Sequence, residues 1–316
     1  MKRVELGARG VAVRQRARLL RPRVRLALFA YALLLPLLAI MVGLVFYPAV
    51  LTFIDSLRNI NLITFDPVRF IGLDNYGQLF GDSTVVKTAE NTGLYLVIAS
   101  AGELTLGLVF ALALRNAVRF RGVALAAALL PWALPPVVDG VIWGWIYDPT
   151  YGVLNGILKS LHLISAYQIW LGGTWSSLVF VVLVHIWKMV PLATVIILAA
   201  LQSIPGDVYE AGRIDGGGPW QLFRHISLPL IRPALLIVLS QATIGAINLF
   251  DEAYVLTGSS LDTRSVLIQD YLTTFRDLNL SLGMALSFLI TLATIAVSAL
   301  FAVWLYRDRG RGVRRA

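Results

Sequence analysis

Two runs of 29 residues, Leu26 to Ile54 and Leu278 to Tyr306, carry no formally charged side chain. A helix rising 1.5 Å per residue crosses a hydrocarbon core of about 30 Å in roughly 20 residues, so each run is long enough to span a bilayer. Four more apolar stretches lie between them. The pattern predicts spanning helices at about 26–50, 90–114, 123–147, 175–201, 234–257 and 281–306. Helices are the form expected in lipid, where each backbone N–H and C=O must be satisfied within the segment. The first apolar run is too long for a cleaved signal, whose apolar stretch is about 7 to 15 residues, and is read as an uncleaved first helix. Residues 26–306 then form one six-span transmembrane domain, between a basic arm at 1–25 and a basic tail at 307–316.

Composition agrees with lipid as the solvent. Of the 316 residues, 58% are hydrophobic and 14% charged, and the mean hydropathy is +0.75. That balance disfavours a soluble enzyme, a nucleic-acid-binding module and a disordered chain. The net charge of +9 does not argue for nucleic acid, because 20 of the 27 Lys and Arg fall in four short segments beside apolar runs: the arm, 115–121, 202–233 and the tail. Six cations lie in the alternate loops, and the bias places both termini in the cytoplasm. With no cysteine, the chain has no disulfide framework, thiolate metal site or cysteine nucleophile.

The cytoplasmic segment 202–233, QSIPGDVYEAGRIDGGGPWQLFRHISLPLIRP, is patterned rather than loop-like. Pro205 and Asp207 suit a helix start, Val208, Ala211 and Ile214 keep helical spacing, and Gly216 to Gly218 with Pro219 end it. A second short helix is expected from about Trp220 to Ile226, ending before Pro229. Pattern alone leaves an interfacial anchor open.

Residue spacing adds to this. Glu210, Ala211, Gly216, Ile226, Leu228 and Pro229 reproduce E-A-A-x3-G-x9-I-x-L-P, with Gly212 in place of the second Ala. The segment resembles the EAA loop of membrane subunits of binding-protein-dependent ABC importers. FIGLDNYGQLF at 70–80, PWALPPVVDGVIWGWIYDPTYGVLN at 131–155 and VLTGSSLDT at 255–263 are similar to the carbohydrate branch, in particular its maltose-permease-like first subunits. Two departures are Gly212 itself and Ser259 with Ser260, where the family often has Gly.

The resemblance implies an all-α permease core with a cytoplasmic coupling helix, forming half of a translocation pathway in a bacterial or archaeal cytoplasmic membrane. The implied partners are a second homologous permease subunit, two ATPase subunits that bind ATP and Mg, an extracytoplasmic solute-binding protein and a sugar-like substrate. This chain has no G-x-x-x-x-G-K-[ST], H-E-x-x-H or G-x-S-x-G, so no catalytic residue, metal or cofactor is expected in it. By resemblance, Glu210, Ala211, Gly212, Asp215 and Gly216 couple to the ATPase, Glu210 as a salt-bridge partner. A solvated surface charge is the plainer role for Glu210.

Ionisable residues inside spans are costly and are read as functional candidates. Glu103 and Lys188 fall near the middles of the second and fourth predicted spans, and Asp139 lies about one turn beyond the middle of the third. They are candidates for a buried ion pair. The alternative is a polar lining for solute, with His185 and Lys188 at i and i+3, Trp187 beside them, and Gln241, Asn248 and Glu252 recurring at i, i+7 and i+11 with Asp251 adjoining. Aromatic faces cover sugar C–H surfaces while amides, imidazole and carboxylates bond hydroxyls. Resemblance places sugar contacts in PWALP, HIWK and INLFD, which selects Trp132, His185, Trp187, Lys188, Asn248 and Asp251. A first rival is an ion-coupled secondary transporter using Glu103, Asp139 and Lys188 as a proton relay. A second is an intramembrane enzyme, for which no local motif is present.

Overall fold

The computed structural model describes residues 26–313 apart from 28, 65 and 116–120, with side chains given up to Leu305 except at 121 and 124. The arm at 1–25, Arg119 of the 115–121 cluster and the side chains of the tail lie outside the described residues. The chain divides into a first unit up to Asp55 and a second from Ser56 onward. The first unit holds most of α1, Phe29–Ser56, a long apolar helix. Its middle contains a π turn, Val42–Phe46, where the Tyr47 N–H donates to Val42 O. Pro48 follows directly. The wide turn moves the carbonyls that a proline ring in an α-helix would strike and whose hydrogen bond it could not return.

In the second unit the helices are α2 (Asp74–Gly81), α3 (Ser83–Arg115), α4 (Arg121–Ala133), α5 (Pro136–Ile146), α6 (Val153–Ser160), α7 (Thr174–Gln202), α8 (Gly206–Ile214), α9 (Pro219–Ile247), α10 (Asp251–Thr257), α11 (Val266–Tyr271) and α12 (Leu280–Val313). No strand occurs among the described residues, only isolated bridges between Arg58 and Phe70 and between Asn61 and Asn279. α3, α7, α9 and α12 are long and apolar enough to cross a membrane, as is α1. The core forms where α3, α7, α9 and α10 meet, with Tyr95, Val181, Val182, Ala246 and Ala253 fully or almost fully buried. A second apolar cluster joins α3, α7 and α9 through Ala111, Ile197, Leu201, Ile231 and Val238.

The structure departs from the expected spans in two places. The third is not one continuous helix over 123–147: α4 and α5 meet at a bend of 100°. Pro135 and Pro136 explain it, because a residue before proline is disfavoured in the α region and neither proline has an N–H to continue the ladder. Pro135 accordingly takes an extended backbone, φ −60°, ψ 137°, as the N-cap of α5. The fifth span starts earlier and ends earlier than 234–257. α9 runs from Pro219 to Ile247, so the second half of the 202–233 segment is the first part of a membrane-length helix. Pro229 does not terminate it, because a π turn at Phe223–Ser227, closed by the Leu228 N–H donating to Phe223 O, accommodates the ring as at Pro48. The connections between the predicted spans are not without structure: 55–89, 148–174 and 258–280 contain the short helices α2, α6 and α11.

Candidate functional site

Along α7, three residues are most of one helical turn, so His185 and Lys188 face the same way, into the interior. His185 Nδ1 lies 3.4 Å from Glu252 Oε1 at the start of α10, and Nε2 lies 3.6 Å from Glu103 Oε1 on α3. Lys188 Nζ donates to the carboxylate of Asp139 on α5 and, at 2.6 Å, to the carbonyl of Leu134. None of these five ionisable residues is more than 7% exposed. The structure thus joins α3, α5 and α10 to α7 through three buried contacts between ionisable side chains: Glu103 and Glu252 at His185, and Asp139 at Lys188.

The 100° bend supplies part of the chemistry. Breaking a helix leaves carbonyls at its C-terminal end without N–H partners. Leu134, just past the end of α4, presents one of them to the Lys188 ammonium, and a cation is favoured at that end of a helix dipole. Asp139 lies in the first turn of α5, where a carboxylate is favoured for the converse reason. Lys188 therefore binds both sides of the break.

The other solute candidates are dispersed. Trp132 on α4 is 45% exposed. Trp187 is half-buried and meets Trp143 edge to face with centroids 5.4 Å apart. It lines an apolar cavity of about 720 Å³ with Trp143, Tyr147 and Phe180. Thr194 is the one side chain with a hydroxyl or charge in that lining besides Tyr147, so the cavity is poorly equipped for a sugar's hydroxyls. Asn248 is exposed and turns its amide back to Ile244 O, at 2.8 Å. α9 ends just before it, so Gln241, Asn248 and Glu252 do not share one helical face as the i, i+7, i+11 spacing implies. Asp251 is half-buried in the first turn of α10. Sequence reasoning did not find the Glu252–His185 contact or the Leu134 carbonyl. The Pro135–Pro136 pair is a signal for the carbonyl, whereas the Glu252 contact depends on how α10 is turned after the break.

The 206–227 segment is built as two linked helices. α8 ends in a tight motif in which the Gly216 N–H donates to Arg213 O and the Gly217 N–H to Gly212 O, 3.0 and 2.9 Å. This is a Schellman C-cap, and Gly216 takes the left-handed backbone it needs, φ +83°. Asp215 is the C-cap residue and is exposed, as are Glu210 and Ala211. Ile214 is 85% exposed and Val208 38%. Gly212 faces inward: a Cβ there would lie 2.7 Å from Leu222 Cδ2 and 2.8 Å from Ile226 Cδ1. A side chain there would have to displace the ends of Leu222 and Ile226, so Gly212 lets α8 lie close against the start of α9 without that shift. Tyr209 is the buried residue of α8, its hydroxyl 2.9 Å from Ser227 Oγ and its ring under the Arg115 guanidinium, 4.3 Å from the centroid.

At the 258–265 loop, Arg264 donates to Ser259 O and Gln269 Oε1, Asn91 on α3 donates to Leu261 O at 2.9 Å, and the Tyr95 hydroxyl donates to Thr263 O at 2.7 Å. The left-handed residue here is Gly258, φ +62°, so Ser259 and Ser260 incur no such strain. Burial beside the Arg276 guanidinium lowers the Arg264 pKa from its ordinary value. Asp148, half-buried, is held below the usual carboxylate range chiefly by the Thr150 hydroxyl.

Residues 103–312 match the model of the family described as "Binding-protein-dependent transport system inner membrane component". The chain is 37% identical over 235 residues to the trehalose/maltose transport system permease protein MalF of Thermococcus litoralis, a match covering 74% of this chain and 78% of the relative. It is 32% identical over 276 residues to the sulfoquinovosyl glycerol transport system permease protein SmoG of Agrobacterium fabrum, covering 87% and 89%. Its fold is similar to that of a bacterial ABC transporter involved in the import of the acidic polysaccharide alginate, with a TM-score of 0.76 at 18% identity over 91% of this chain and 98% of that one. The chain belongs to the inner membrane components of binding-protein-dependent transport systems, and is a multi-pass permease subunit of the ABC importer type rather than its ATPase.

Proposed function

We propose that this chain forms half of the pathway for a carbohydrate or similarly polyhydroxylated solute, and that α8 is the helix on which an ATPase subunit docks. The observation that carries the docking reading is the surface of α8: Glu210, Ala211 and Ile214 are exposed on a capped helix whose opposite side, at Tyr209 and Gly212, is fixed to the membrane helices. An exposed Ile beside a carboxylate suits a protein partner that offers an apolar cleft and a cation. ATP and Mg belong to two such ATPase subunits, and closure of these on nucleotide moves α8 and switches the access of the pathway. A second homologous permease supplies the other half, and an extracytoplasmic binding protein delivers the solute.

The sugar reading rests on the relatives, both of whose transport systems are named for sugar-containing solutes. Of the residues selected for solute contact, Trp132 and Asn248 are exposed and Trp187 and Asp251 half-buried, while His185 and Lys188 act from the interior by fixing the helices that present them. The ion-coupled rival finds no support among the relatives.

The test is uptake into liposomes containing the reconstituted complex, with trehalose and maltose offered on the binding protein. Uptake that requires both ATP and the binding protein is expected. Uptake driven by a proton gradient without the ATPase would overturn the reading.

A further inference from the structure

We propose that Tyr209 is the joint that passes movement of α8 to two separate membrane helices, making it a positioning residue for coupling. The proposal rests on the reading of α8 as the docking helix. Covalently, α8 is joined through short connections to α7 on one side and α9 on the other, whereas α3 is remote along the chain. Tyr209 bridges that gap through space. One side chain, 7% exposed, carries the last residue of α3 on its ring face and the π turn of α9 on its hydroxyl.

The two contacts are suited to transmission. A hydrogen bond weakens steeply with angle and a cation over a ring depends on its position over the face, so both contacts respond to small displacements of α8. Ser227, 2% exposed, has little water to replace a lost partner. It ends the π turn, a wide and unusual helix segment of the kind often found at functional sites. Displacing α8 therefore pulls on α9 at its irregular turn and on the end of α3 together. These are two of the helices that hold the buried core, and α3 also carries Glu103.

The experiment uses the full importer in liposomes. Tyr209→Phe removes only the hydroxyl, Arg115→Met only the cation, and Tyr209→Leu both contacts. The readouts are ATPase subunit retained with the permease, ATP hydrolysis with and without loaded binding protein, and solute moved per ATP. Expected are normal ATPase retention and a fall of about 3- to 10-fold in solute per ATP for Tyr209→Phe and Arg115→Met, the scale of one lost polar contact. Adding Arg115→Met to Tyr209→Leu should cause no further loss, since both act through one ring. The proposal is overturned if solute per ATP is unchanged, if the losses of that pair multiply, or if only the quantity of assembled complex falls. Glu210→Lys in the same membranes separates the two readings. If it uncouples the complex while the Tyr209 and Arg115 variants do not, the joint alone fails; if it leaves docking and coupling intact, the docking reading fails and the joint with it.

Discussion

Lys188 of α7 and Asp139 of α5 form an ion pair across the break between α4 and α5, with the same ammonium donating to Leu134 O at 2.6 Å. The pair is buried, 7% and 0% exposed, so its two charges are matched rather than solvated. Removing one partner of such a pair costs about 3 to 5 kcal/mol, because the other charge is stranded. Lys188→Met is therefore expected to lose folded protein, read as the monodisperse fraction after detergent extraction. Lys188→Met with Asp139→Asn should recover part of it, leaving a deficit of about 1 to 3 kcal/mol from the unpaired Leu134 carbonyl. A single variant with normal yield and normal transport would contradict the assignment.

Gly216 tests the cap of α8. A side chain in the left-handed region costs about 1 to 2 kcal/mol, so Gly216→Ala should loosen α8 without affecting insertion. Amide hydrogen exchange of 206–217 should rise in this variant, while that of α7 stays unchanged. Equal protection in the two proteins would argue against the cap.

Asp270 on α11 predicts a pH dependence. It is 8% exposed and accepts a hydrogen bond from Ser287 Oγ of α12 at 2.5 Å. Burial pushes its carboxyl up to about 6, against the hydroxyls of Ser287 and Thr274, which pull it down. An unfolded aspartate titrates near 3.9, so between roughly pH 4 and 6 the folded chain binds more protons than the unfolded one. The contribution of this site to stability is then greatest at the acid end of that window, falls as pH rises through it and levels off above. The difference in thermal midpoint between wild type and Asp270→Asn, measured at pH 4.5 and 7.5, should shift in favour of Asn at the higher pH. A difference that does not change with pH would remove the titration from Asp270.

The long apolar helices were legible because lipid imposes length and continuity on them, and α3, α7 and α12 follow hydropathy closely. The cap of α8 was legible for a local reason: only Gly at 216 suits the left-handed turn, and its spacing from Ala211 and Ile214 marks the helix end. Hydropathy concealed the bend, since Pro135 and Pro136 lie within an apolar run and change backbone direction without changing polarity. It also concealed the π turn that lets α9 pass Pro229. The His185 contacts were illegible because they depend on helix rotations, and Glu252 reaches His185 only after the break at 248–250 reorients the chain. Arg115 over Tyr209 joins residues far apart in sequence, with no local pattern to announce it.

The bias of cations toward alternate segments predicts an orientation with both termini inside. In a chain with no cysteine of its own, Cys introduced at Ser259 should react with an impermeant maleimide from outside the cell, and Cys at Ile214 only after the membrane is opened. Reaction of the Ile214 site from outside would invert the topology.

The central claim is that ATP hydrolysis in partner subunits reaches this permease through α8, where Glu210 is an exposed carboxylate. Solute moved per ATP in reconstituted liposomes, compared for wild type and Glu210→Lys at equal amounts of inserted permease, tests it directly. Reversing the charge at a docking contact is expected to release the ATPase subunits or to leave hydrolysis running without transport. Wild-type transport and wild-type ATPase retention in Glu210→Lys would contradict the account and return Glu210 to a solvated charge on a surface helix.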